Sequence, residues 1–124
     1  LTGVQINVSG AKGDLHSGIY GGGVQNPIHA LASILASFHD EHGTIAVEGF
    51  YDSVRELTAE ERAAFAELDF SEEGIKAEAG VKELFGEQGF TYLEQTWARP
   101  TLEVNGVFGG FSGGIIELFP ICWQ

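Results

Sequence analysis

Residues 3–38 read GVQINVSGAKGDLHSGIYGGGVQNPIHALASILASF. Val4, Ile6 and Val8 alternate with Gln5, Asn7 and Ser9, the two-residue period of a strand with one covered face. Glycines from Gly10 to Gly23 then turn the chain. Asn26-Pro27 offers a helix cap with proline at the first helical position. Ile28, Leu31, Leu35 and Phe38 follow at i, i+3, i+7 and i+10, which puts them on one face of a helix. That helix is expected to end near His39, with Gly43 just beyond.

Working outward, residues 44–47 (TIAV) form a short strand candidate. Thr58 and Glu61 make a capping box that opens TAEERAAFAEL, with Phe65 and Leu68 on its buried side. Ser71 opens a second short helix that Gly80 closes. Residues 82–86 and 90–97 add short turns of helix, with Tyr92, Leu93 and Trp97 as packing residues and Pro100 as the stop. Residues 101–107 (TLEVNGV) alternate again and read as a strand. The order strand, helix, strand, helices, strand predicts an α+β fold. It should be a two-layer sandwich with helices on one face of a mainly antiparallel sheet.

Composition narrows the function classes. The chain has 124 residues, 44% hydrophobic and 19% charged, a globular balance suited to one domain. With 18 acidic and 6 basic residues its net charge is −12. Such a surface repels phosphate backbones and anionic lipid, so neither nucleic acid nor membrane is an expected partner. No apolar run approaches the roughly 20 residues of a membrane span. The start, LTGVQINVSG, lacks the basic and apolar regions of a signal peptide. Cys122 stands alone, which points to a reducing, cytoplasmic setting. The absence of methionine leads us to expect a piece of a longer protein.

Several residue groups invite chemistry and yield to plainer readings. The glycine loop has no GxxxxGK[ST] and no GxGxxG in register, so its glycines serve tight turns. His39, Asp40, Glu41 and His42 cluster like metal ligands, but neighbours at a helix end point in different directions. Cys122 lacks a histidine pattern around it. Glu60-Glu61 and Glu72-Glu73 fall in first helical turns, where negative charge is favourable. His16 differs. It lies in a loop between strand and helix, with Asp14 and Ser17 near enough to orient it, and such loops project side chains from a scaffold.

Four collinear segments carry a family resemblance. DLHSGIYGG (14–22) resembles the Asp-Leu-His-Ser-Gly motif of the peptidase M20 family, specifically its carnosinase-like metallodipeptidases. NPIHALASILASFHDEHGTIAVEGFYD (26–52) resembles the family's helix and following turn, with Glu48 where the family has proline. LTAEERAAFAELDFSEE (57–73) resembles its acidic helical insert, and WARPTLEVNGVFGGFSG (97–113) its Arg-Pro-Thr-Leu-(Asp/Glu)-Val-Asn-Gly strand. After Gly113 the chain departs, reading GIIELFPICWQ, without the family's lysine and threonine or its later arginine that grips the substrate carboxylate.

The resemblance implies that residues 1–113 are the first part of a lid or dimerisation domain, a partial ferredoxin-like fold, and that 114–124 are a divergent apolar tail. It implies a homodimer, with an edge strand and the first helix as the contact. The family's two zinc-type ions and general base belong to a separate catalytic domain of the same chain. This stretch should therefore hold no metal and no cofactor, and hydrolyse nothing alone. By resemblance, His16 is the catalytic residue, entering the neighbouring subunit's site to donate to the oxyanion of a short peptide substrate. A stand-alone oligomerisation or binding module without a catalytic role is the alternative.

Overall fold

The structure, a computed structural model, describes residues 2–110. The apolar tail from Gly114 and its Cys122 lie outside the described residues. Five helices are present among them: α1 (Ser17–Tyr20), α2 (Pro27–Ala36), α3 (Ala59–Ala66), α4 (Glu72–Ala79) and α5 (Tyr92–Trp97). Residues 2–32 and 104–110 belong to one compact unit, and Ser33–Glu103 form the other.

Helix starts follow their caps. Asn26 Oδ1 accepts from the Ile28 N–H at 2.8 Å, with Pro27 at the first helical position. Thr58 and Glu61 form the reciprocal capping box of α3. Ser71 caps α4, and Gly80 ends it in the left-handed region at φ 70°. A second capping box, Thr91 with Glu94, opens α5; the same T-x-x-E spacing is visible in the sequence. α2 stops at Ala36, short of His39, and residues 82–86 form no helix.

The expected sheet is not formed among the described residues. Antiparallel pairing is confined there to an isolated bridge between His39 and Ile45, all that remains of the 44–47 strand candidate. Residues 3–9 and 101–107 carry no strand, and Val4 is 83% exposed. The physical reason is that alternation decides which side chains share a face, but a strand also needs a neighbour to take its N–H and C=O groups. Among the described residues helices and loops are formed, and the two-layer α+β sandwich is not confirmed.

Unit 33–103 is held by charge and rings as much as by aliphatic burial. Its buried apolar residues are Ile45 and Leu93. Arg99 donates from Nε and Nη2 to the two carboxylate oxygens of Glu87, each at 2.9 Å. The Arg99 side chain is 5% exposed and that of Glu87 10%. The same guanidinium lies 4.3 Å from the Phe90 ring centre and 5.0 Å from that of Tyr51. Arg62 repeats the arrangement, 4.8 Å from the Phe90 ring centre and 3.3 Å from the buried Glu94 carboxylate. Tyr51 Oη accepts from the Ile45 N–H at 3.0 Å, and Phe70 stacks on Tyr92 at 5.3 Å. Leu93 packs as its spacing predicts, whereas Trp97 is exposed and meets only the edge of Phe65 among the ring contacts described.

Two predictions follow from these contacts. Arg99→Met leaves the Glu87 carboxylate buried without its partner, so urea unfolding should register a loss of about 3–5 kcal/mol. Adding Glu87→Leu should recover part of it; equal losses in both variants would contradict a dominant ion pair. Second, the Arg55 guanidinium, together with the Thr58 N–H, lowers the Glu61 carboxyl from 4.5 to about 2. A carboxyl lowered by folding contributes stability that is complete above its unfolded value and fades as pH falls through its folded one. The protection factors of the first-turn amides of α3, which are exchange rates corrected for their intrinsic pH dependence, should therefore fall between pH 4.5 and 2, and Glu61→Gln should abolish that fall.

Candidate functional site

His16 sits at the N-terminal cap of α1, where the glycine-rich loop turns into a single turn of helix. Its backbone carbonyl accepts from the Ile19 and Tyr20 N–H groups at 3.0 and 3.1 Å. Its ring also caps the helix, since Nδ1 accepts from the Gly18 N–H at 2.9 Å. Serine, threonine, aspartate and asparagine are the usual residues in this place, because a short side-chain oxygen reaches the exposed N–H groups. Here an imidazole nitrogen does so instead.

That bond sets the chemistry of the ring. A neutral imidazole has one acceptor nitrogen and one N–H. With the Nδ1 lone pair committed to Gly18, the proton of the neutral ring resides on Nε2. His16, Asp14 and Ser17 are all exposed. Asp14 and Ser17 are the neighbours the sequence suggests for orienting the imidazole; the donor at Nδ1 is the Gly18 main chain, which residue types alone do not reveal.

The second cluster resolves into a turn. Asp40 Oδ1 accepts from the His42 and Thr44 N–H groups, both at 2.9 Å, and these two bonds hold its carboxyl below the usual carboxylate value. The Asp40 N–H donates to the Thr44 carbonyl at 2.9 Å. The His39 and Phe85 rings meet in a T-shaped arrangement with centres 6.4 Å apart, while His42 Nε2 lies 3.6 Å from Glu41 Oε1. Gly43, at φ 76°, closes the turn; a Cβ there would run into the Gly86 carbonyl. Among the described residues, no three His, Cys, Asp or Glu side chains come together to hold a metal ion. The described residues do not fit the two zinc-type ions that the resemblance implies for the wider family.

The acidic pairs divide. Glu61 serves its capping box and accepts two 2.8 Å bonds from Arg55, while Glu73 pairs with Lys76 at 2.7 Å. An open groove of about 570 Å³ runs beside the Arg55–Glu61 pair, lined by Leu57, Phe65, Leu68 and Trp97 among others. Its charged groups already engage each other. No helix of the described residues is long and apolar enough to cross a membrane.

Comparison with known proteins places this geometry in context. The sequence profile of the Peptidase dimerisation domain matches residues 1–117. The chain is similar to the Cys-Gly metallodipeptidase DUG1 of Saccharomyces cerevisiae, with 36% identity over 108 residues, covering 87% of this chain and 22% of that protein. It is also similar to the Beta-Ala-His dipeptidase of Homo sapiens, with 32% identity over 98 residues, covering 79% of this chain and 19% of that protein. The crystal structure of human carnosine dipeptidase 1 superposes with a TM-score of 0.72 at 30% identity, covering 86% of this chain and 23% of that one. The chain thus spans about a fifth of the length of the curated relatives it matches.

Proposed function

The chain belongs to the M20 peptidase dimerisation-domain family, and from that premise we propose that it is the lid and dimerisation part of a metallodipeptidase, carrying His16 into the active site of a partner subunit. Peptide-bond hydrolysis builds negative charge on the carbonyl oxygen, and a hydrogen-bond donor fixed in advance at that oxygen lowers the barrier. The observation that carries the reading is the bond from the Gly18 N–H to His16 Nδ1. With Nδ1 occupied by the Gly18 N–H, the neutral ring presents Nε2–H, a donor and not a base. Its exposure suits a side chain that acts beyond its own protomer.

On this reading the segment hydrolyses nothing alone. The two zinc-type ions and the general base are supplied by a catalytic domain of the same chain, and the substrates are short peptides, dipeptides above all, as the names of the relatives suggest. The lone Cys122 favours the cytoplasm. Residues 1–113 form the lid portion and 114–124 a tail of separate character.

Self-association supplies the partner. The alternating segments 3–9 and 101–107 retain the pattern of strands, and α2 presents Ile28 at 50% exposure, with Val4 and Ile6 also uncovered. An isologous contact needs one self-complementary patch. We assign it to the helix whose sequence carries Leu31 and Leu35, with an edge of the alternating segments as the second element of the contact that the resemblance implies. Pairing would give those segments the ladder partners they lack and complete the ferredoxin-like sheet. Sedimentation of the 124-residue chain should detect a dimer that Ile28→Glu weakens; a monomer at high concentration would contradict this contact.

In the peptidase that carries this segment, His16→Ala should leave the dimer intact and lower turnover on the order of 10²–10³-fold, the usual loss when one oxyanion donor is removed. Near-normal turnover would exclude the donor role and favour a purely associative module.

A further inference from the structure

Helix caps elsewhere in this chain bear on position 18: Thr58, Ser71 and Thr91 bond the N–H three residues on, while Asn26, like His16, bonds the N–H two residues on, there that of Ile28, which carries a side chain. At α3 and α5 the N–H that bonds to the threonine cap belongs to a glutamate, Glu61 or Glu94. At α4 it belongs to Gly74, where a Cβ would lie 3.6 Å from Ser71 Cβ and 3.7 Å from its Oγ, an ordinary contact. Capping by itself therefore leaves room for a side chain on the donor residue.

α1 is different. A Cβ on Gly18 would stand 2.8 Å from Cε1 and 3.0 Å from Nδ1 of His16, closer than van der Waals contact allows. The backbone of Gly18 does not require glycine, because it is helical and absent from the left-handed glycines. Helix propensity also favours alanine there. What excludes a side chain at position 18 is the imidazole alone.

We infer that Gly18 is a positioning residue for His16. Its missing Cβ lets the ring fold back over the first turn, and its N–H bonds to Nδ1, so that this atom pair bears on both ring orientation and tautomer. This deepens the donor role proposed above and rests on it for its catalytic consequence, although the ring geometry stands by itself. A ring displaced by a Cβ at position 18 loses the Gly18 bond. Its proton is then no longer assigned to Nε2, and its tip is no longer aimed.

The test separates the two layers. In the 124-residue chain, ring ¹⁵N shifts of His16, recorded at a pH where every histidine ring is neutral, should show the Nε2–H tautomer. Gly18→Ala should shift them towards a mixture of both tautomers without lowering the unfolding midpoint. A purely structural glycine would leave the ring shifts unmoved. A His16 ring already in the Nδ1–H form, or ring shifts unchanged in the variant, overturns the inference.

In the intact dimeric peptidase, Gly18→Ala should lower kcat by up to about 10², and adding it to His16→Ala should cost nothing further, since the two residues act as one unit. Additive losses would overturn the positioning role. If the tautomer shifts as expected while His16→Ala has no effect on turnover, the positioning stands and the donor role fails.

Discussion

A buried arginine holds the larger unit of this chain together. Arg99 is clamped to Glu87 by two 2.9 Å hydrogen bonds and lies against the rings of Phe90 and Tyr51. Burying two charges is costly unless the geometry is good and the remaining donors are engaged. Here both carboxylate oxygens are engaged, while Arg99 Nη1 makes no hydrogen bond among the described residues and has a Glu56 oxygen 3.9 Å away. Two aromatic faces offset part of the lost hydration. Such a pair is directional in a way that aliphatic packing is not. It fixes the loop carrying Glu87 and Phe90 against the segment following α5 and against Tyr51, in a unit whose buried aliphatic side chains among the described residues are Ile45 and Leu93.

Legibility in the sequence follows the range of the interaction. Caps are local, and Asn26, Thr58 with Glu61, and Ser71 with Gly80 all stand where a reading of neighbouring residues places them. The Thr91–Glu94 box obeys the same rule and was within reach of it. Burial is less local: Leu93 is buried, yet Trp97 on the same helix is exposed, since helix spacing names a face without saying what meets it. Strands are the extreme case. The alternation in 3–9 and 101–107 is real, but no pattern within a segment supplies its partner. The Arg99–Glu87 pair, twelve positions apart across a helix and two loops, obeys no spacing rule at all.

The candidate site divides along the same line. His16 stands out because a histidine between glycines in a strand-to-helix loop has a reason to project. The resemblance of Asp14–Gly22 to the M20 motif is what motivates the role proposed for it. The acidic and histidine cluster at 39–42 looked richer by residue type, yet its carboxylate is spent on two main-chain N–H groups of its own turn. Turn chemistry competes for the very side chains that metal sites use, and at short sequence separation the turn wins because it needs no other element.

The position of His16 poses a physical problem that its local geometry answers. On the proposed role, the side chain acts on another subunit and must stay accessible, and an accessible side chain lacks the packing that holds core rotamers in place. Restraint must then come from atoms that travel with the residue itself. A main-chain N–H two positions along the same helical turn meets that condition, because it is as rigid as the turn itself. It also discriminates between the two ring nitrogens, which a contact with carbon atoms could not do. A threonine or serine cap would stabilise α1 at least as well but would offer no N–H at the tip. Imidazole as the cap, with glycine as the capped donor, therefore exchanges helix stability for a directed hydrogen-bond donor, a substitution that makes physical sense where the donor has work to do outside its own fold.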